Sequence, residues 1–140
     1  CEDVFVAAKR FIESVKLKRD ADFIIIDLHG EITSEKMAMG YFFDGKATMV
    51  VGTHTHVPTA DDCILPKGTA FVSDLGMVGA LNSVIGFDPD PAIFKFRNQM
   101  PTRMKVKQSS LVQFNSVLID IDDISGKAIS ISRIDEVIEL

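Results

Sequence analysis

At 140 residues the chain has room for one domain or one large piece of a domain. It is 46% hydrophobic and 25% charged, an ordinary globular composition that excludes an intrinsically disordered chain. A net charge of −5 without a long basic run argues against an extended nucleic-acid surface. It still allows a small phosphate ester whose charge is neutralised locally by a metal ion.

In chain order, Val4 to Leu17 reads as an amphipathic helix. Phe5, Ala8, Phe11, Ile12 and Val15 lie on one face and Lys9, Arg10, Glu13 and Lys16 on the other. This charged start has no apolar core of a secretory leader. The apolar runs are all shorter than the ~20 residues that span a bilayer. A cytoplasmic protein with no membrane partner is expected. Cys1 and Cys63 are too far apart in sequence for a paired zinc motif and read as free thiols.

Phe23 to Ile26 is a continuous β-branched and aromatic run, the pattern of a strand buried on both faces. Thr33 or Ser34 offers a cap for a helix from Glu35 to Phe43, and Ala47 to Val51 is a second buried strand. This strand–helix–strand order predicts a βαβ unit with parallel strands. Beyond it, Asp62 to Leu65, Thr69 to Ser73, Met104 to Val106, Val112 to Ile121 and Ala128 to Ile134 read as strands. The last two flank Asp123 to Lys127, a hairpin turn with Gly126 at a position suited to positive φ. Pro91 to Arg97 reads as a short helix opening on proline. The expected fold is α/β, a βαβ unit followed by a mainly antiparallel β region.

The chain has only three histidines. All three fall at or just past the C-terminal ends of predicted parallel strands, the edge where open α/β sheets bind ligands. His29 closes the first strand; His54 and His56 follow the second. In extended backbone, residues i and i+2 project to the same side. His54 and His56 would then face one site, with Thr53 and Thr55 turned away. Gly52 would let backbone approach closely. A lone histidine at a strand end is more often a hydrogen-bonded bystander, but a His-x-His pair with a third histidine on the neighbouring strand favours a metal site. Glu31, two residues after His29, reads as an acceptor that orients a metal ligand or as a solvated carboxylate. Asp27 reads as a buried strand carboxylate. Asp74 opens the glycine-punctuated loop Asp74 to Gly79, a candidate substrate loop or a bare turn. Ser83 has no nearby base and is no candidate nucleophile.

Asp27-Leu28-His29-Gly30-Glu31-Ile32-Thr33-Ser34-Glu35-Lys36 and Val51-Gly52-Thr53-His54-Thr55-His56-Val57 together resemble a specific bacterial family. It is the calcineurin-like metallophosphoesterases of the 2′,3′-cyclic-nucleotide 2′-phosphodiesterase (YmdB-type) family. Ser73-Asp74-Leu75-Gly76-Met77, Ser83-Val84-Ile85-Gly86 and the hairpin between Ile121 and Ala128 continue the match. The resemblance implies an α/β/β/α sandwich and a dinuclear metal centre, iron or manganese before zinc, with His29, His54 and His56 as ligands. It implies metal-assisted hydrolysis of phosphodiesters, cyclic nucleotides above all. Residues 1–140 then form the C-terminal portion of a single domain. The general acid and remaining ligands are expected in an N-terminal half that this sequence does not contain. That half, or another copy of the chain, is the expected macromolecular partner, and a homo-oligomer is expected. The alternatives are a capsule-synthesis relative of the same superfamily and a non-catalytic metal-binding or interaction module. An amidohydrolase barrel also uses His-x-His but needs ~250 residues.

Overall fold

The computed structural model describes residues 2–140, so the reading of Cys1 lies outside them; Cys63 is a free, exposed thiol. Helix α1 runs Val4–Ser14, capped by Asp3, whose carboxylate accepts from the amides of Phe5 and Val6. It is shorter than predicted because Lys16 to Asp20 turn back on themselves, the amide of Asp20 donating to Lys16 O. Strand β1 (Ile25–His29), helix α2 (Thr33–Phe43) and strand β2 (Met49–Thr53) form the predicted βαβ unit, with β1 and β2 parallel. Ile32 stands at the α2 N-cap without a side-chain bond, so Thr33 and Ser34 lie inside the helix and do not cap it.

Strands β3 (Cys63–Ile64) and β4 (Ala70–Val72) complete a sheet of order β1-β2-β4-β3, with β4 parallel to β2 and β3 antiparallel to β4. A second, antiparallel sheet has the order β5-β6-β7, built from Val78–Ala80, Leu111–Ile121 and Ala128–Glu139. The β6–β7 hairpin closes as predicted, with Gly126 at φ 72° and its amide donating to Asp122 O. Strand β7 extends five residues beyond Ile134, carried by its register against β6. The predicted strand Met104 to Val106 is absent; Val106 makes a single bridge to Phe87. Helix α3 starts at Pro89 and runs to Asn98, with Ala92 its buried residue.

The first sheet is covered on one face by α1 and α2, through Ile12, Met39 and Phe43 against Ile24, Val50 and Phe71. Its other face carries Met49, Val51, Ala70 and Val72, which pack against Ala128, Val117, Ile119 and Ile131 of the second sheet. Mixed α/β layers with one mainly parallel and one antiparallel sheet are thus present as expected. Strand β1 departs from the expectation. It is an edge strand, and its side chains alternate between half-buried and exposed. Ile24 is buried, but Ile25 is 60% exposed, because the second sheet covers β2 and β4 and leaves the same face of β1 open. Among the described residues no helix is long and apolar enough to cross a membrane.

Candidate metal centre

The C-terminal ends of β1 and β2 lie side by side, with His29 in register with Thr53. Asp27 and His29 project from the open face of β1, being two residues apart on one strand. Strand β2 stops at Thr53, and the backbone then turns sharply. His54 has φ 131° and His56 φ 64°, conformations that residues with a Cβ rarely adopt. The extended i, i+2 arrangement expected for the two histidines therefore does not occur. They reach a common cavity through a strained turn, as functional residues often do.

Gly52 makes the approach to this turn possible. A Cβ there would lie 1.9 Å from the carbonyl oxygen of Ser73, at the end of β4. The close neighbour is backbone, as the sequence suggested.

His29 and His54 meet directly. His54 Nδ1 is 3.0 Å from His29 Nε2, and the rings are perpendicular with centroids 4.8 Å apart. The far nitrogen of His54, Nε2, is 2.8 Å from a Glu31 carboxylate oxygen, so Glu31 holds the ring from the solvent side. On the far side of His29, Nδ1 is 3.1 Å from Thr53 Oγ1, and that hydroxyl donates to Asp27 at 2.9 Å. Thr53 thus joins the site, contrary to the strand alternation that would turn it away. His56 stands apart from the pair. Its Nδ1 is 3.2 Å from the carbonyl oxygen of Ile85, itself at φ 47°. All three histidines and Thr53 line one open cavity of about 480 Å³, together with the apolar side chains of Met77, Val78 and Phe87. A second cavity of about 500 Å³ between α1 and α2 contains no histidine and lies away from the strand ends.

Asp74 sits beneath the histidine turn and does not line the cavity. Its carboxylate accepts from the amides of Thr55 and Gly76 at 2.9 and 3.0 Å and from Lys36 Nζ at 3.1 Å. Both partners of this ion pair are buried, at 2% and 1% exposure. Burial alone would raise the Asp74 pKa, but the bonds from Thr55, Gly76 and Lys36 outweigh it and hold the carboxyl below the usual carboxylate range. Asp61 shows the same balance, with burial opposed by bonds from Thr59 and Ser73. Arg133 of β7 donates to the carbonyls of Thr59 and Leu75, tying the second sheet to the loop that follows Asp74. Ser83 is engaged in its own turn, donating to Ala80 O and accepting from Gly86 N.

Among the described residues no three His, Cys, Asp or Glu side chains converge tightly enough to hold an ion by themselves. The donors that do meet fit part of a metal centre. Imidazole nitrogens bind such ions at ~2.0–2.1 Å, so two nitrogens sharing one ion stand roughly 3 Å apart. His29 and His54 already have that separation. Nothing in the sequence marks Lys36 or the Ile85 carbonyl for these contacts, and strand alternation alone turns Thr53 away. Only Thr53 had an available signal, its position in register with His29 once β1 and β2 are taken as parallel.

The sequence profile of the family described as YmdB-like protein matches residues 1–134. A Bacillus subtilis (strain 168) protein named 2′,3′-cyclic-nucleotide 2′-phosphodiesterase is 44% identical over 133 residues, covering 95% of this chain and 49% of that protein. A Mycoplasma pneumoniae protein named putative phosphatase/phosphodiesterase is 40% identical over 126 residues, 89% of this chain and 44% of its own length. Among solved structures, one described as a novel phosphatase from Mycoplasma pneumoniae superposes with a TM-score of 0.87 at 39% identity, over 98% of this chain and 47% of that one. A hypothetical protein from Thermus thermophilus superposes with a TM-score of 0.86 at 34% identity, over 97% and 51%. The chain therefore spans about half the length of the relatives it matches. The histidine blocks, the two-sheet fold and a profile match over nearly every residue agree, and the chain belongs to the YmdB-like family.

Proposed function

We propose that His29, His54 and His56 supply the histidine part of a divalent metal centre with which the longer protein hydrolyses phosphodiesters, cyclic nucleotides in particular. The observation that carries this reading is the His29–His54 contact at 3.0 Å, set in a cavity at the ends of parallel strands. The relatives' names supply the substrate class. When bound, divalent ions stabilise charge on a phosphate and activate water. His29 would hold an ion through Nε2 and His54 through Nδ1, the two nitrogens that face each other. His56 would use Nε2, because its Nδ1 is engaged with Ile85 O. Glu31 orients His54, and Asp74 fixes the turn that carries His54 and His56. The apolar wall of Met77, Val78 and Phe87 offers a surface for a nucleoside base beside the histidines.

With its three histidines assigned to metal, the chain leaves the general acid and the remaining ligands to residues outside it. Residues 1–140 act as one portion of a larger domain, and the isolated chain is essentially inactive. Loss of a general acid alone costs typically 10²–10⁴-fold. Iron or manganese is the preferred metal. The test is hydrolysis of 2′,3′-cyclic AMP by a longer form of the protein. Activity abolished by a chelator and by His54→Ala, restored in wild type by Mn(II), is the expected result. Hydrolysis indifferent to both treatments would overturn the reading.

A further inference from the structure

We infer that Thr53, held by Asp27, is a positioning residue that selects which ring nitrogen His29 presents to the cavity; this rests on the metal reading of His29 given above. The hydrogen-bond chemistry allows one arrangement. A carboxylate only accepts, so the single proton of the Thr53 hydroxyl is committed to Asp27, 2.9 Å away. Thr53 Oγ1 then has only lone pairs to offer His29, 3.1 Å away. His29 must donate from Nδ1. In the neutral ring this leaves Nε2 without a proton and with its lone pair directed at His54 Nδ1.

The backbone makes this relay rigid. Thr53 and His29 are register partners in a parallel ladder, and Asp27 is two residues before His29 on the same face of β1. No loop movement is needed to assemble it. The relay inserts a hydroxyl between carboxylate and imidazole, where a direct carboxylate–imidazole bond is the commoner device.

Long-range proton–nitrogen NMR of 15N-histidine-labelled, metal-free protein reads the tautomer directly. Wild type should show His29 with its proton on Nδ1, and Thr53→Ser should match it. Thr53→Val removes the acceptor, and Asp27→Leu frees the hydroxyl to donate to Nδ1. Both should move the proton toward Nε2. Calorimetric titration with Mn(II) should show Thr53→Val weakened by about 10–100-fold, the usual effect of removing a partner of a metal-binding histidine, with Thr53→Ser nearly unchanged. A His29 without a proton on Nδ1 in wild type, or an unchanged tautomer in Thr53→Val, overturns the relay. The expected tautomers in a wild type that binds no Mn(II) would uphold the relay and overturn the metal reading.

Discussion

Lys36 Nζ lies 3.1 Å from the Asp74 carboxylate, and both side chains are almost wholly buried directly below the turn that carries His54 and His56. The pair links the first turn of α2 to the loop after β4, and Asp74 extends it to the amide of Thr55 between the two histidines. Removing one partner of a buried ion pair leaves an uncompensated charge and costs about 3–5 kcal/mol. Lys36→Met should therefore destabilise the protein by that order. Lys36→Met combined with Asp74→Asn should be less destabilised than the sum of the two single variants, because no charge is left alone and the amide still accepts one backbone bond. Urea unfolding of the four proteins checks this. Additive losses would mean that the two side chains do not act as a pair.

Asp74 and Asp61 both have carboxyls held below their ordinary range, burial being outweighed by the bonds they accept. Such groups stabilise the fold fully above the unfolded value of about 3.9 and lose that contribution as pH falls through the lower folded value. Their contribution to thermal stability should be flat from about pH 5 to 8 and should decline progressively as pH falls below about 4. Melting temperature measured against pH checks it. Asp61→Asn should lower the plateau and flatten the acid limb. An acid limb unchanged in that variant would contradict the assignment.

The open face of β1 has its own consequence. Ile25 is 60% exposed on an edge strand, with Phe23 at 42% beside it. Exposed edges and apolar patches recruit partners. The isolated chain should self-associate in the micromolar range or above, and Ile25→Lys should shift it toward monomer. Sedimentation velocity at several concentrations decides it. A wild-type chain that stays monomeric throughout would show that this face needs no cover.

The convergence of the three histidines on one cavity was largely legible because its signals are local. A histidine ending one strand and a Gly-x-His-x-His block after the next are visible without the fold, and parallel pairing brings them together. Thr53 faces the site because β2 ends there: alternation through His56 would turn it away, but the positive φ values at His54 and His56 break that alternation. Nothing beside Lys36 in the sequence signals its burial; its partner Asp74 is 38 residues away. The run Phe23 to Ile26 looks the same whether one face of the sheet is covered or two, so the exposure of Ile25 could not be read from it. The end of β7 was missed because Asp135 and Glu136 resemble a strand terminus, and only the pairing with β6 carries the ladder on to Glu139.

The proposed ion is shared by His29 and His54 across their 3.0 Å contact. Calorimetric titration of the chain with Mn(II) tests it most directly, with His29→Ala and His54→Ala as the variants. One weak site is expected in the wild type, and either substitution should remove it or weaken it at least about tenfold, the lower end of what losing even a hydrogen-bond partner of a ligand costs. Equal affinity in the wild type and both variants, or no heat of binding in any of them, would contradict it.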